Sequence, residues 1–184
     1  MKSKIIYKTT TKTGKTLTFR YPTIDDLQIL NDFINKASQE RTFINLQGNE
    51  IKLEDERKWL ESTIKKIKSK EKVYLMAFVD GKFSGASDIE IGNFAKRHNG
   101  LFGIIIDNNY RGEGVGEALM KLVISEAKKN MKELRIIVLE CFSDNFIAKN
   151  LYKKLGFVEY GLLPKALKRK GKYTDAILMY KKVK

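Results

Sequence analysis

The chain has 184 residues, 42% hydrophobic and 32% charged, with 36 Lys plus Arg against 22 Asp plus Glu, a formal net charge of +14. That fits one globular domain over residues 1–184 with anionic partners; no stretch approaches the ~18 apolar residues of a membrane span and no apolar signal region opens the chain, so a cytoplasmic location without a membrane partner is the default. The single cysteine, Cys141, rules out an intrachain disulfide, and with one histidine, His98, no metal site of Cys and His ligands is expected.

Residues 1–15 form either an N-terminal extension or a first strand. Thr16 to Arg20 alternates weakly and predicts a strand. Thr23 with Asp25 and Asp26 marks a helix start, a capping residue followed by acids in the first turn, and Leu27, Leu30, Phe33 and Ile34 give that helix an apolar face. An irregular stretch from Gln39 to Glu50 leads to a second helix over Leu53 to Lys68, with Leu60, Ile64 and Ile67 on one stripe. Val73 to Val79 and Phe83 to Ile91 are strands joined by an Asp80-Gly81 turn. A loop through Arg97 and His98 enters the strand Leu101 to Ile106. The next helix buries Val115, Ala118, Leu119, Leu122 and Val123. Leu134 to Phe142 is a largely apolar strand, as at a sheet centre. Asp144 to Leu155 is a helix stopped by Gly156, and Val158 to Leu163 and Asp175 to Tyr180 form a hairpin around a basic loop. The order is β-α-α-β-β-β-α-β-α-β-β. Its inner β-α-β unit implies a parallel crossover inside a mixed, mostly antiparallel sheet, an α/β (α+β) class.

One segment carries the most chemistry. The apolar run Ile104, Ile105, Ile106 stops at Asp107, and Arg111-Gly112-Glu113-Gly114-Val115-Gly116-Glu117 then opens a helix. Amides at a helix start are unsatisfied and sit at the positive end of the macrodipole, while glycines let a phosphorylated ligand approach the backbone. The loop is neither a P-loop, since Glu117 and Ala118 follow Gly116, nor the dinucleotide fingerprint, since its glycines alternate.

Arg-x-x-Gly-x-Gly after a strand resembles the acetyl-CoA loop of the GNAT N-acetyltransferases. Downstream, Asn145-x-x-Ala148-x-x-Leu151-Tyr152-x-x-x-Gly156-Phe157 resembles the second signature of that family, with every fixed position present. The likeness covers Thr16 to the C-terminus. It implies the GNAT fold and transfer of an acetyl group from acetyl-CoA to a primary amine by direct attack. It also implies backbone groups of Ile104 to Ile106 on the pantetheine and acetyl carbonyl, and residues 111–117 on the pyrophosphate. Asn145, Lys149 and Tyr152 share a helix face that would line the thioester end, with Tyr152 as general acid to the CoA sulfur.

The base is open among Glu140, Glu90 and a water relay. Glu140 is ranked first, because its spacing to Asn145 and Tyr152 resembles the ribosomal-protein alanine acetyltransferase branch. It also interrupts the apolar run Ile136 to Leu139, which is costly without a partner or a job. Cys141 is expected to be an inert core thiol. The acceptor is open among small amines, amino acids and protein N-termini. A homodimer and a nucleic-acid partner for the lysine runs at 65–70 and 165–172 are further possibilities, and an acyl-CoA sensor or a nucleic-acid-binding protein on the same scaffold is the competing function.

Overall fold

The computed structural model describes residues 4–183; residues 1–3 of the expected N-terminal extension and residue 184 lie outside the described residues. Among the described residues, eight strands form one sheet. They are β1 (Ile5–Thr10), β2 (Thr16–Arg20), β3 (Lys72–Val79), β4 (Lys82–Ile91), β5 (Asn99–Ile106), β6 (Ile136–Phe142), β7 (Val158–Arg169) and β8 (Lys172–Lys182). Their spatial order is β1-β2-β3-β4-β5-β6-β8-β7, with every pair antiparallel except β5 with β6. The helices are α1 (Leu27–Gln39), α2 (Leu53–Lys68), α3 (Val115–Asn130) and α4 (Phe146–Lys154).

The mixed sheet and the element order match the expectation, with one addition and several shifted ends. The segment before Thr16 contributes β1, which pairs with β2. The first helix begins as a 3-10 turn over Ile24–Asp26, where the Thr23 amide donates to the Asp26 carboxylate at 2.7 Å. The expected basic loop is instead a continuation of β7 and β8. Leu167 pairs with Thr174, Lys168 with Tyr173 and Arg169 with Lys172, so only Lys170 and Gly171 remain at the turn, both with positive φ.

Alternation along the central strands divides the core between two faces. Val73, Leu75, Ala77 and Val79 of β3 join the cluster beneath α3 and α4, while Tyr74 and Met76 join the cluster with Leu27, Leu30 and Leu60 of α1 and α2. In β5, Phe102, Ile104 and Ile106 turn towards α3 and α4. Gly103 and Ile105 therefore face the side of α1 and α2.

Candidate active site

β5 and β6 run together only briefly. Asn99, Gly100 and Leu101 pair with Ile136, Ile137 and Val138, and there the ladder ends. Phe102, the next residue, packs edge-on against Tyr152 of α4, with ring centroids 6.1 Å apart, and both rings contact Phe157. β6 itself runs on to Phe142 along β8, so beyond Val138 the two strands part. From Phe102 to Ile106 the outer edge of β5 has no strand partner among the described residues. Backbone groups on such an edge are fixed in direction and open to an extended ligand.

The edge leads into the glycine loop. Gly114 caps α3 with φ +87°, a left-handed conformation that glycine adopts freely. The first intrahelical bond runs from Ala118 N–H to the Gly114 carbonyl, so the amides of Val115, Gly116 and Glu117 precede the ladder. A side chain at Gly112 would meet nothing within 4 Å, whereas one at Gly114 would meet the Lys12 stem at 3.3 Å. A bare loop, free helix-start amides and a lysine beside them suit a pyrophosphate.

Several side chains expected here are engaged elsewhere, leaving their backbone to face a ligand. Arg111 donates to the Ile106 carbonyl at 3.0 Å and to Glu40 at 2.7 Å. Glu113 accepts from Lys15 at 2.8 Å, and Glu117 accepts from Lys121 and Lys154, which hold its carboxyl down to about 2. Lys12 escaped sequence reading. It belongs to the turn joining β1 and β2, and its amide donates to the Glu113 carbonyl at 2.9 Å.

Between β5 and β6 lies a cleft of about 300 Å³, whose walls include Ile104, Glu140, Cys141, Asn145 and Tyr152. Tyr152 is buried, and its hydroxyl has no hydrogen-bond partner among the described residues; burial, and then the nearby Cys141, push it well above the usual tyrosine range. It stays protonated at neutral pH. Burial also pushes the Cys141 thiol up to about 11, against the opposing pull of Lys149, so it is not a thiolate nucleophile. The Asn145 side chain caps α4 by accepting from the Ala148 amide at 3.2 Å. Lys149 lies near Glu159 at 3.8 Å and over the Phe146 ring.

The two candidate bases are separated. Glu140 is exposed and carries no ion pair or hydrogen bond among the described residues; contrary to the burial expected from the apolar run around it, it opens into the cleft. Alternation puts it on the face opposite Cys141 and Tyr152. Glu90 accepts from Lys66 at 2.5 Å and Lys72 at 3.0 Å; burial alone would raise its carboxyl, but these lysines outweigh that and hold it below the usual range. It lines neither the cleft nor the cavity beneath α1 and α2.

Asp88, which sequence reading passed over, reaches the site instead. It pairs with Gly103 across β4 and β5, on the face of α1 and α2. Two residues beyond the last rung on each strand, Glu140 reaches the level of Gly103 from the other side. Two carboxylates thus flank a residue without a side chain. The available signal was an aspartate inside a strand, a residue type that strands disfavour. The irregular segment between α1 and α2 closes the cleft from above. Phe43 packs on Phe142, and Arg169 of the terminal hairpin lies 4.3 Å over the Phe43 ring while pairing with Asp144.

Residues 33–157 match the family model of the acetyltransferase (GNAT) family. An L-amino acid N-acetyltransferase of Escherichia coli strain K12 is 37% identical over 106 residues, 57% of this chain and 65% of that protein. The chain spans less than two thirds of the curated relatives it matches first, 65% and 62% of their lengths. Among solved structures, a GNAT-family acetyltransferase from Streptococcus pneumoniae superposes with a TM-score of 0.83 at 30% identity, covering 91% of this chain and 99% of that one. A protein from Salmonella typhimurium, solved with its cofactor acetyl-CoA, superposes with a TM-score of 0.80 at 18% identity, covering 91% and 94% of the two chains.

Proposed function

The chain belongs to the GNAT acetyltransferase family, and from that premise we propose that it transfers the acetyl group of acetyl-CoA to a primary amine by direct attack. The observation that carries this is the parting of β5 and β6 beyond Leu101 and Val138, which leaves a free backbone edge between Tyr152 and the start of α3. Amides 115–117 bind the pyrophosphate with Lys12 alongside. Pantetheine follows the edge of β5, and its carbonyl-bearing end reaches the cleft at Ile104.

The acceptor approaches from the opposite face, over Gly103. Its nitrogen lone pair attacks the acetyl carbonyl carbon, and backbone N–H groups of the open edge stabilise the oxyanion. Collapse of the adduct breaks the C–S bond, and the Tyr152 hydroxyl gives its proton to the leaving thiolate. The proton lost by nitrogen passes to Glu140, directly or through water, because Glu140 is unpaired while Asp88 already accepts from Lys72 at 3.1 Å. The balance is amine plus acetyl-CoA giving acetamide plus CoA thiol.

The test combines thiol release from acetyl-CoA with mass detection of the acetylated amine across a panel of amines and N-terminal peptides. Amine-dependent thiol release matched by product is expected. Acetyl-CoA should also raise the melting temperature, and Gly114→Val, which strains a left-handed position and presses on Lys12, should shrink that ligand-induced rise. No amine-dependent release, or an undiminished rise in a folded Gly114→Val variant, overturns this reading.

A further inference from the structure

The second cavity has a chemistry of its own. It lies under α1 and α2, encloses about 450 Å³, and meets the reaction edge at Gly103, Ile104 and Ile105. Its body is apolar, with Leu30, Phe33, Trp59 and Tyr74 among its walls. Its charged lining is entirely acidic: Asp55, Glu56 and Asp88, with no lysine, arginine or histidine. In a chain of net charge +14 the lining is a local reversal of sign.

Glu56 makes the reversal meaningful. It is only 7% exposed, and its carboxylate has no hydrogen bond or ion pair among the described residues. Burial alone raises its proton affinity. A buried, unpartnered carboxylate is costly in an isolated protein, and a bound cation would remove that cost. Asp88 differs, since it pairs with Lys72 at 3.1 Å, and that ammonium lies behind the aromatic wall, 5.5 Å from the Trp59 ring centroid and 5.9 Å from that of Tyr74. Tyr74 lies between the two carboxylates, within electrostatic range of both, and its ring meets Trp59 edge-on at 5.3 Å.

We propose that this cavity is the acceptor site, and that it selects primary amines with an apolar or aromatic body and no carboxylate beside the amine. The ammonium form is drawn in by the unpartnered Glu56 carboxylate. The apolar body rests against Leu30, Phe33 and the Trp59–Tyr74 pair, and the nitrogen reaches the β5 edge over Gly103. A free amino acid carries its own carboxylate into the same acidic space and is repelled. This rests on the transferase reading above and deepens it.

Trp59 is the chain's single tryptophan, so its fluorescence reports occupancy without any turnover. Phenethylamine, phenylalaninamide and phenylalanine share one ring and differ in the group beside the amine. Phenethylamine and the amide should change the emission, with phenylalanine weaker on the order of tenfold. Glu56→Gln keeps shape and removes the charge; it should weaken phenethylamine by a similar factor and narrow its advantage over phenylalanine, with the acetyl-CoA-induced melting shift unchanged. Equal or stronger binding of phenylalanine, a silent Trp59, or unaltered selectivity in folded Glu56→Gln overturns the proposal. Binding with the expected selectivity but no acetyl transfer keeps the cavity assignment and sinks the transferase reading, so the two failures are distinguishable.

Discussion

The Asp88 carboxylate occupies the space that a side chain on Gly103 would need: a Cβ built on Gly103 would lie 2.9 Å from Asp88 Oδ1. The two residues face each other across β4 and β5, and the neighbouring Ser87 hydroxyl donates to the Gly103 carbonyl at 2.8 Å. The missing side chain therefore decides where a negative charge stands beside the reaction edge.

Gly103→Ala should displace that carboxylate while the strand persists, because the clash is with the free end of a side chain and not with backbone. We expect kcat/KM for the amine to fall roughly ten- to hundredfold, the scale of a small misplacement at a reacting centre, with acetyl-CoA binding little changed. Steady-state kinetics at saturating acetyl-CoA measures it. Unchanged kinetics in the variant would show that Asp88 does not serve the acceptor.

Tyr152→Phe removes one hydroxyl and keeps the ring that packs on Phe102 and Phe157. That hydroxyl has no hydrogen bond to lose, so stability should hold. Turnover should drop by about 10²–10⁴, the usual worth of a general acid. Wild-type turnover, once chemistry is shown to limit the rate, removes Tyr152 from the mechanism.

Glu140→Gln should flatten the acid limb of the kcat/KM profile, since an unpaired carboxylate facing the cleft must be ionised to accept a proton. Glu90→Gln should leave that limb in place and lower the melting temperature instead, because it abandons Lys66 and Lys72. Profiles and melting curves for both variants separate the two roles. A limb lost with Glu90 and retained without Glu140 reverses the assignment.

Asp26 anchors the entry to α1. Its carboxylate accepts from Arg20 at 2.5 and 2.7 Å, and the aspartate side chain is only 9% exposed. Burial pushes its carboxyl up, but Arg20 and Thr23 outweigh burial and hold it below the usual range. Its stabilisation is thus complete above the unfolded value of ~3.9 and is lost as pH falls through the lower folded value. Asp26→Asn should destabilise the protein by about 3 kcal/mol at neutral pH, because the Arg20 guanidinium keeps its charge and loses its carboxylate partner. Denaturant melts should show the gap between the two proteins closing only below about pH 4. A constant gap down to strongly acid pH would mean that the pair contributes through packing alone.

What the sequence announced and what it hid follow from range. The glycine loop and the Asn145 to Phe157 segment are local patterns, so the helix starts, the glycine turn before α3 and the placement of Tyr152 on α4 were legible from neighbours in the chain. The partnership of Asp88 with Gly103 depends on strand register across a hairpin, and no local pattern carries it. Glu56 stands in the first turn of α2, where an acid is ordinary. Only the packing of that helix over Tyr74 shows it to be buried and unpaired. One of the two reasons for ranking Glu140 first fails, since the interruption of an apolar run suggested burial and the parting of β5 and β6 exposes it; the other, its spacing to Asn145 and Tyr152, does not depend on burial.

That parting also gives the reaction two doors. Under the proposed reaction the acyl donor enters beside α3 and α4 and the acceptor beneath α1 and α2, so CoA and the acetylated product would withdraw in opposite directions. Neither product would then stand in the other's exit. The sheet itself becomes the partition across which a two-carbon cargo is handed, and anything that bridged both sides at once would have to be threaded through it at Gly103.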